Sequence, residues 1–326
     1  MQYAHELSIA VAAVRHAAEV CRNVQRAIPA AMEKQDKSPV TIADFASQAV
    51  ICRALGAAFP NDPIIGEEDS AELRLPGNKL SLERVQSELS RIRVDGSHDE
   101  ICGWIDRGGA KSFGPRFWTL DPIDGTKGFL RGEQYAVSLA LIVDGRIEVA
   151  ILGCPNLPLE PGAESDAGTL FFAVRGQGAS VQSCFGESAV APVRVTSTSN
   201  WSDVRLCESV ESGHSAHDRS AMISASLGLT KQPVRLDSQA KYAVVARGEG
   251  DVYLRLPTKK DYREKIWDHA GGVLVVEEAG GRVTDVDGRP LEFTHGRELS
   301  GNRGVVVTNG RLHDDVLRTL RAHAEP

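Results

Sequence analysis

Asp121 and Asp124 carry the strongest chemical signal in this chain of 326 residues. They sit three positions apart in the run Trp118-Thr119-Leu120-Asp121-Pro122-Ile123-Asp124-Gly125-Thr126, at the end of a hydrophobic stretch. Pro122 restricts the backbone between them, so the two carboxylates and the Ile123 carbonyl can present oxygens to one point. An all-oxygen set of that kind suits a hard divalent cation such as Mg2+. Gly125 and Thr126 follow at once, where a helix can start. The free N–H groups of a helix N-terminus bind phosphate. One turn therefore offers metal ligands, an anion cradle and a hydroxyl.

Two further acidic sites strengthen the reading. Glu67 opens a Glu67-Glu68-Asp69 turn straight after the apolar Pro63-Ile64-Ile65-Gly66. Asp268 heads a small-residue apolar run, Ile266 to Gly272. Taken singly, each has a bland explanation: an exposed acidic turn, a solvated loop, an N-cap. Three acidic sites, each at a strand end or a helix start, point instead to two or three Mg2+ ions in a phosphoryl-transfer centre. Arg255, Lys259, Lys260, Arg263 and Lys265 crowd one short stretch of an otherwise acidic chain. Local positive charge of that sort suits a phosphate-bearing ligand, or is an ordinary basic loop.

The elements that must hold these residues are partly readable. Apolar residues Leu7, Ala10, Val11, Val14 and Ala18 recur at helical spacing, which predicts a helix over 4–28 closed by Pro29. A second helix is predicted over Thr41–Leu55, with Asp44 in its first turn, where a carboxylate suits the helix dipole. Strands are expected at 63–66, at 117–120 ending on Asp121, at 135–143, at 146–152 after an Asp144-Gly145 turn, and at 169–174. Residues 69–100 read as a peripheral lid or insertion with a helical stretch over 80–93. A stretch rich in Gly, Ser and Pro over 182–199 marks the expected boundary between an N-terminal α+β subdomain, 1–195, and a C-terminal α/β subdomain, 196–326. Beyond it, strand and helix signals alternate, as in an α/β domain.

Composition sets the limits. The chain has 42% hydrophobic and 25% charged residues and a formal net charge of −7, which is ordinary for a globular protein. No apolar run reaches the roughly 20 residues of a membrane span. The acidic balance argues against a nucleic-acid partner. Six cysteines show no CxxC pair and read as reduced, buried thiols. Residues 1–21 look like an amphipathic helix and not a signal peptide, so a cytoplasmic location is expected.

The three acidic segments resemble, in order and over nearly the whole chain, the signatures of the Mg2+-dependent, lithium-sensitive phosphatases that include inositol monophosphatase. The segments SPVTIADFASQAVI, ESGHSAHD, LDSQAKY and VYLRLPTKKDYREKIWDHAGG are similar to those of the 3'(2'),5'-bisphosphate nucleotidases of yeast and plants. The resemblance implies a layered α/β sandwich of alternating helices and sheets. It also implies hydrolysis of the 3'-phosphate of adenosine 3',5'-bisphosphate (PAP), with the sulfate donor PAPS as a second substrate. By the same resemblance Glu67, Asp121, Asp124, Asp268 and the Ile123 carbonyl match the metal ligands. Asp44 and Thr126 match the pair that activates water. Gly125 and Thr126 match the scissile-phosphate site, and His214, Ser238, Lys241 and Arg255 match nucleotide contacts. A monomer or weak homodimer is expected. The Ala270-Gly271-Gly272 start departs from the Ala-Ala-Gly of many relatives, and the extra glycine is expected to loosen the helix slightly.

Other readings compete. An inositol phosphate or fructose 1,6-bisphosphate phosphatase would share every metal ligand. An aspartyl-phosphate mechanism needs DxDGT, whereas this chain has DPIDGT. A nucleotide or phosphate sensor would lack a catalytic group, and all of them are present.

Overall fold

The computed structural model describes residues 2–28, 38–111, 113–163, 168–210, 217–257 and 262–323, with the side chains of 38–40, 217 and 218 left aside. Helix α1 (Ala4–Arg26) and helix α2 (Ser38–Ala58) pack on each other and on one face of the first sheet. Their buried sides are lined by small residues such as Ala10, Ala13, Ala17, Ala43, Ala46 and Ala49, which let the helices approach closely.

That sheet has seven strands in chain order: β1 (Ile64–Gly66), β2 (Arg116–Asp124), β3 (Ala136–Val143), β4 (Arg146–Cys154), β5 (Thr169–Val174), β6 (Ala179–Ser183) and β7 (Ala191–Val193). β1 pairs with β2 in parallel, and the rest form an antiparallel meander. The continuous apolar run of β3 is explained by cover on both faces. On the far face lie α7 (Ala240–Ala246) and α8 (Ala270–Glu278).

The second sheet mixes directions, in the order β11 (Arg282–Thr284), β12 (Val305–Thr308), β10 (Val252–Arg255), β8 (Leu206–Glu208) and β9 (Val234–Arg235). Helices α6 (His217–Leu227) and α9 (His313–Ala322) cover its outer face through Ile223, Val316, Leu317 and Leu320. The layers thus alternate helix, sheet, helix, sheet, helix. One buried cluster joins Ala150, Leu152 and Phe171 of the first sheet to Tyr242, Leu274, Tyr253 and Val307 of the second half.

Several expectations change. α2 begins at Ser38, so Asp44 lies in the second turn, and the helix-dipole argument for it lapses. Within segment 69–100 the expected helical stretch is α3 (Lys79–Arg91), which buries Leu82, Val85 and Leu89 against the first core. α4 (His98–Asp106) went unread, although Ser97 and Glu100 form a reciprocal capping box at its start. β7 lies within the stretch 182–199 read as a boundary, and β6, β11, β12 and α9 were unread. Gly271 and Gly272 tighten the packing instead of loosening a helix. A Cβ at Gly271 would fall 2.4 Å from Ser138 Oγ, and one at Gly272 would fall 2.3 Å from the Tyr242 ring.

Candidate active site

The strand β2 does not stop at Asp121. It continues to Asp124 through a register shift against β3, where Asp121 faces Ser138 and Asp124 faces Ala136. Pro122 sits inside that irregularity, one of the few places a strand tolerates proline. A bulge re-aims side chains, and here it turns both carboxylates toward one end of the sheet. Gly125 then takes a left-handed conformation (φ 92°), and a Cβ there would meet Ser238 Cβ at 2.9 Å. The backbone thus turns sharply into α5 (Thr126–Leu130), with Thr126 at its first position.

Helix α2 braces this turn with one face. Asp44, Ser47 and Gln48 follow i, i+3, i+4 spacing and are all buried. Ser47 Oγ donates to the Pro122 carbonyl at 2.9 Å. Gln48 Nε2 donates to the Glu68 carbonyl at 2.6 Å, and its Oε1 accepts the Glu68 N–H at 3.1 Å. The Glu67-Glu68 turn is therefore held by a residue the sequence reading missed. The signal was three polar residues on one face of an apolar helix.

Glu67, Asp121, Ile123, Asp124, Gly125, Thr126, Ser238, Lys241, Arg255 and Asp268 line one cleft of about 460 Å³. Asp44 stands behind that lining, buried, and its charge acts on Asp121. His214, Lys259 and Lys260 lie outside the described residues.

The electrostatics of the acidic end are frustrated. Burial, with Glu68 and Asp124 nearby, pushes the Glu67 carboxyl up to about 7. Burial pushes Asp268 up to about 7, with Asp124 adding to the rise and Arg255 opposing it. Burial and then Glu67, Asp124, Asp268 and Asp44 hold Asp121 well above the carboxylate range. Burial, Glu68 and Glu67 do the same to Asp44. Asp121 Oδ1 is buried without a hydrogen-bond partner. An orphaned carboxylate oxygen among repelling carboxylates is what a hard cation would satisfy. The donor set fits Mg2+.

Cations line the same cleft beside the carboxylates. Lys241 is 3% exposed, and its ammonium donates to the Leu236 carbonyl at 3.2 Å and stands 5.3 Å from the Tyr253 ring centre. Burial pulls it down to about 8, against the pull of Asp124. Ser238, a non-glycine residue at φ 67°, is held in the left-handed region with its Oγ accepting the Ala240 N–H at 3.1 Å. Such strain clusters at functional sites. Arg255 reaches Glu264 and Asp268 at 2.8 and 3.3 Å. Its neighbourhood is thus acidic and includes Asp268, one of the carboxylates expected to hold a cation, which alternation along β10 did not reveal.

Gln239 also escaped the sequence reading. Its side chain donates to the Trp267 carbonyl at 2.9 Å and its Oε1 accepts from Ser138 Oγ at 3.2 Å and the Gly272 N–H at 3.1 Å.

The profile of the inositol monophosphatase family matches residues 2–325. A 3'(2'),5'-bisphosphate nucleotidase of Schizosaccharomyces pombe is 44% identical, over 99% of this chain and 96% of its own. One from Oryza sativa is 43% identical, over 98% and 94%. Among solved structures, an inositol monophosphatase from Zymomonas mobilis superposes with a TM-score of 0.68 over 98% of this chain and 99% of its own, at 19% identity. One from Thermotoga maritima gives 0.66 over 98% and 97%, at 20% identity. The solved structures share the layered fold.

Proposed function

This chain belongs to the inositol monophosphatase family, and from that premise we propose that it hydrolyses the 3'-phosphate of PAP to AMP and phosphate, and PAPS to adenosine 5'-phosphosulfate. The observation that carries the reading is one cleft lined by the four carboxylates Glu67, Asp121, Asp124 and Asp268 and by the two cations Lys241 and Arg255, with Arg255 3.3 Å from Asp268. The carboxylates suit metal cations, and the adjoining basic groups suit the second phosphate of a bisphosphate. The named relatives from fission yeast and rice supply the nucleotide.

Glu67, Asp121, Asp124, Asp268 and the Ile123 carbonyl would hold two or three Mg2+ ions. When bound, Mg2+ supplies Lewis-acid stabilisation of the charge that develops on the entering and leaving oxygens. The other steps fall to the chain. Gly125 and Thr126 open α5 and line the cleft, and we assign the scissile phosphate to them. We assign to Thr126 the hydroxyl that orients the attacking water and to Asp44 the carboxylate that takes the proton through it. Burial keeps Asp44 a stronger base than a surface carboxylate. Ser238, Lys241, Arg255 and His214 are assigned to the nucleotide. The leaving group is the ribose 3'-oxygen, and attack on phosphorus is in line.

The six cysteines are free and buried, which fits a reducing compartment such as the cytoplasm. No helix among the described residues is long and apolar enough to cross a membrane.

The test is phosphate release with Mg2+ from PAP, with inositol 1-phosphate in parallel. Fast release from PAP alone supports the assignment. Release mainly from inositol 1-phosphate overturns the roles of Ser238, Lys241 and Arg255, and release from neither overturns the substrate class.

A further inference from the structure

Glu264 is 5% exposed and belongs to no helix or strand, yet Arg255 and His269 meet on it. Its Oε2 accepts Arg255 Nε at 2.8 Å and lies 3.2 Å from His269 Nε2. His269 is fully buried and follows Asp268 directly. Its Nδ1 lies 2.7 Å from the Tyr242 hydroxyl. Ionised Glu264 can only accept, which puts a proton on His269 Nε2; in the neutral ring Nδ1 then accepts from the Tyr242 hydroxyl. The carboxylate therefore takes one donor from β10 and one from the start of α8.

The consequence concerns Arg255. Glu264 grips the guanidinium by its Nε edge. The Nη2 nitrogen is left toward the cleft, 3.3 Å from Asp268 Oδ2 and 3.5 Å from the Tyr262 hydroxyl. A guanidinium and a carboxylate otherwise prefer two parallel bonds. Without the grip on Nε, Arg255 is free to swing and fork on Asp268 with both nitrogens. That arrangement would spend the guanidinium that a phosphate needs and the carboxylate that a cation needs.

The ligand atoms of Glu264, Asp268 and His269 all lie within 4.8 Å of one another. They do not make a separate metal centre: both His269 nitrogens are engaged, and Arg255 already bridges Glu264 and Asp268.

We propose that Glu264, braced by His269 and Tyr242, is a positioning residue: it holds Arg255 edge-on, so that Arg255 meets Asp268 through Nη2 alone and the two keep capacity for the substrate phosphate and for a cation. Glu264 touches neither ligand, and its effect passes through Arg255. The phosphate half of this claim rests on the function proposed above.

Binding, measured without turnover, tests it. Mg2+ is titrated calorimetrically into nucleotide-free protein, and PAP into protein in EDTA. The variants are Glu264→Gln, Arg255→Ala and the double variant. Glu264→Gln is expected to weaken both ligands about tenfold, the scale of one lost charge-assisted hydrogen bond. In the Arg255→Ala background the same change is expected to move neither by more than about twofold, because a residue acting through Arg255 has nothing left to act on. Equal losses in both backgrounds overturn the proposal, since they mean that Glu264 acts through its own charge or through general stability. If Glu264→Gln folds poorly, Glu264→Asp takes its place in the cycle, and the same two outcomes support or overturn the proposal. Wild-type protein that binds Mg2+ but not PAP overturns the nucleotide reading alone, and the Mg2+ cycle still decides the role of Glu264.

Discussion

The backbone N–H of Gln239 donates to Asp124 Oδ2 at 2.6 Å, so a carboxylate at the end of β2 is held by the segment that enters α7. The Gln239 side chain meanwhile donates to the carbonyl of Trp267, the residue before Asp268. One buried residue thus sets the spacing between two acidic groups, Asp124 and Asp268, that lie 268 − 124 = 144 positions apart in the chain. A hydrogen bond to an ionised acceptor is also among the stronger ones a protein makes.

Asp124→Asn is expected to fold and to lose turnover. The amide oxygen can still accept the Gln239 N–H, so the clamp survives. A charged ligand is gone, and the loss of transition-state charge stabilisation is expected to cost about three decades in kcat. Circular dichroism and phosphate release check the two halves. Near-normal turnover would remove Asp124 from the metal set.

Arg255→Ala is expected to raise KM for PAP by roughly tenfold or more while changing kcat far less, because it removes a phosphate contact and no metal ligand. Steady-state kinetics at saturating Mg2+ reads this directly. A loss confined to kcat would show that its contact with Asp268 is what matters.

Lithium is expected to inhibit at millimolar concentration with Mg2+ saturating, as is typical of the family. Li+ carries one charge where Mg2+ carries two, so it can occupy a carboxylate site without supplying the same polarisation. Activity unchanged by millimolar Li+ would contradict the expectation.

Acid should destabilise the second half through His313. This fully buried residue lies between Thr284 Oγ1 at 2.9 Å and Thr308 Oγ1 at 3.0 Å, and Thr284 donates onward to the Asp285 carbonyl. Thr284 therefore accepts from Nε2 and Thr308 donates to Nδ1, which requires a neutral ring. Burial, with Arg282 nearby, pulls His313 down to about 4. The unfolded chain binds this proton first as pH falls below about 6.5, so stability drops from there down to about pH 4, by about 3 kcal/mol in all. His313→Gln is expected to be less stable at pH 7 but to lose less between pH 7 and pH 4.5. Parallel melting curves for both proteins would refute the assignment.

Local patterns determined much of this protein. Apolar periodicity located α1, α2 and the strands β2 to β5, because burial of one face or of both leaves a short-range trace. Carboxylate spacing at Asp121 and Asp124, with Glu67 and Asp268 at element ends, was enough to name a hard-cation site and, through resemblance, a phosphatase family. The strands β6, β7 and β11 went unread because they are short and partly polar, and their partners, not their own residues, make them strands. Only the tertiary structure decided that Asp44 stands behind the cleft, that Gln48 and Gln239 brace the acidic turns, and that Arg255 is shared between Glu264 and Asp268. Each of those facts is a hydrogen bond, an ion pair or a burial that joins segments far apart in the chain. No spacing rule records such a contact, because its geometry exists only once the layers have packed.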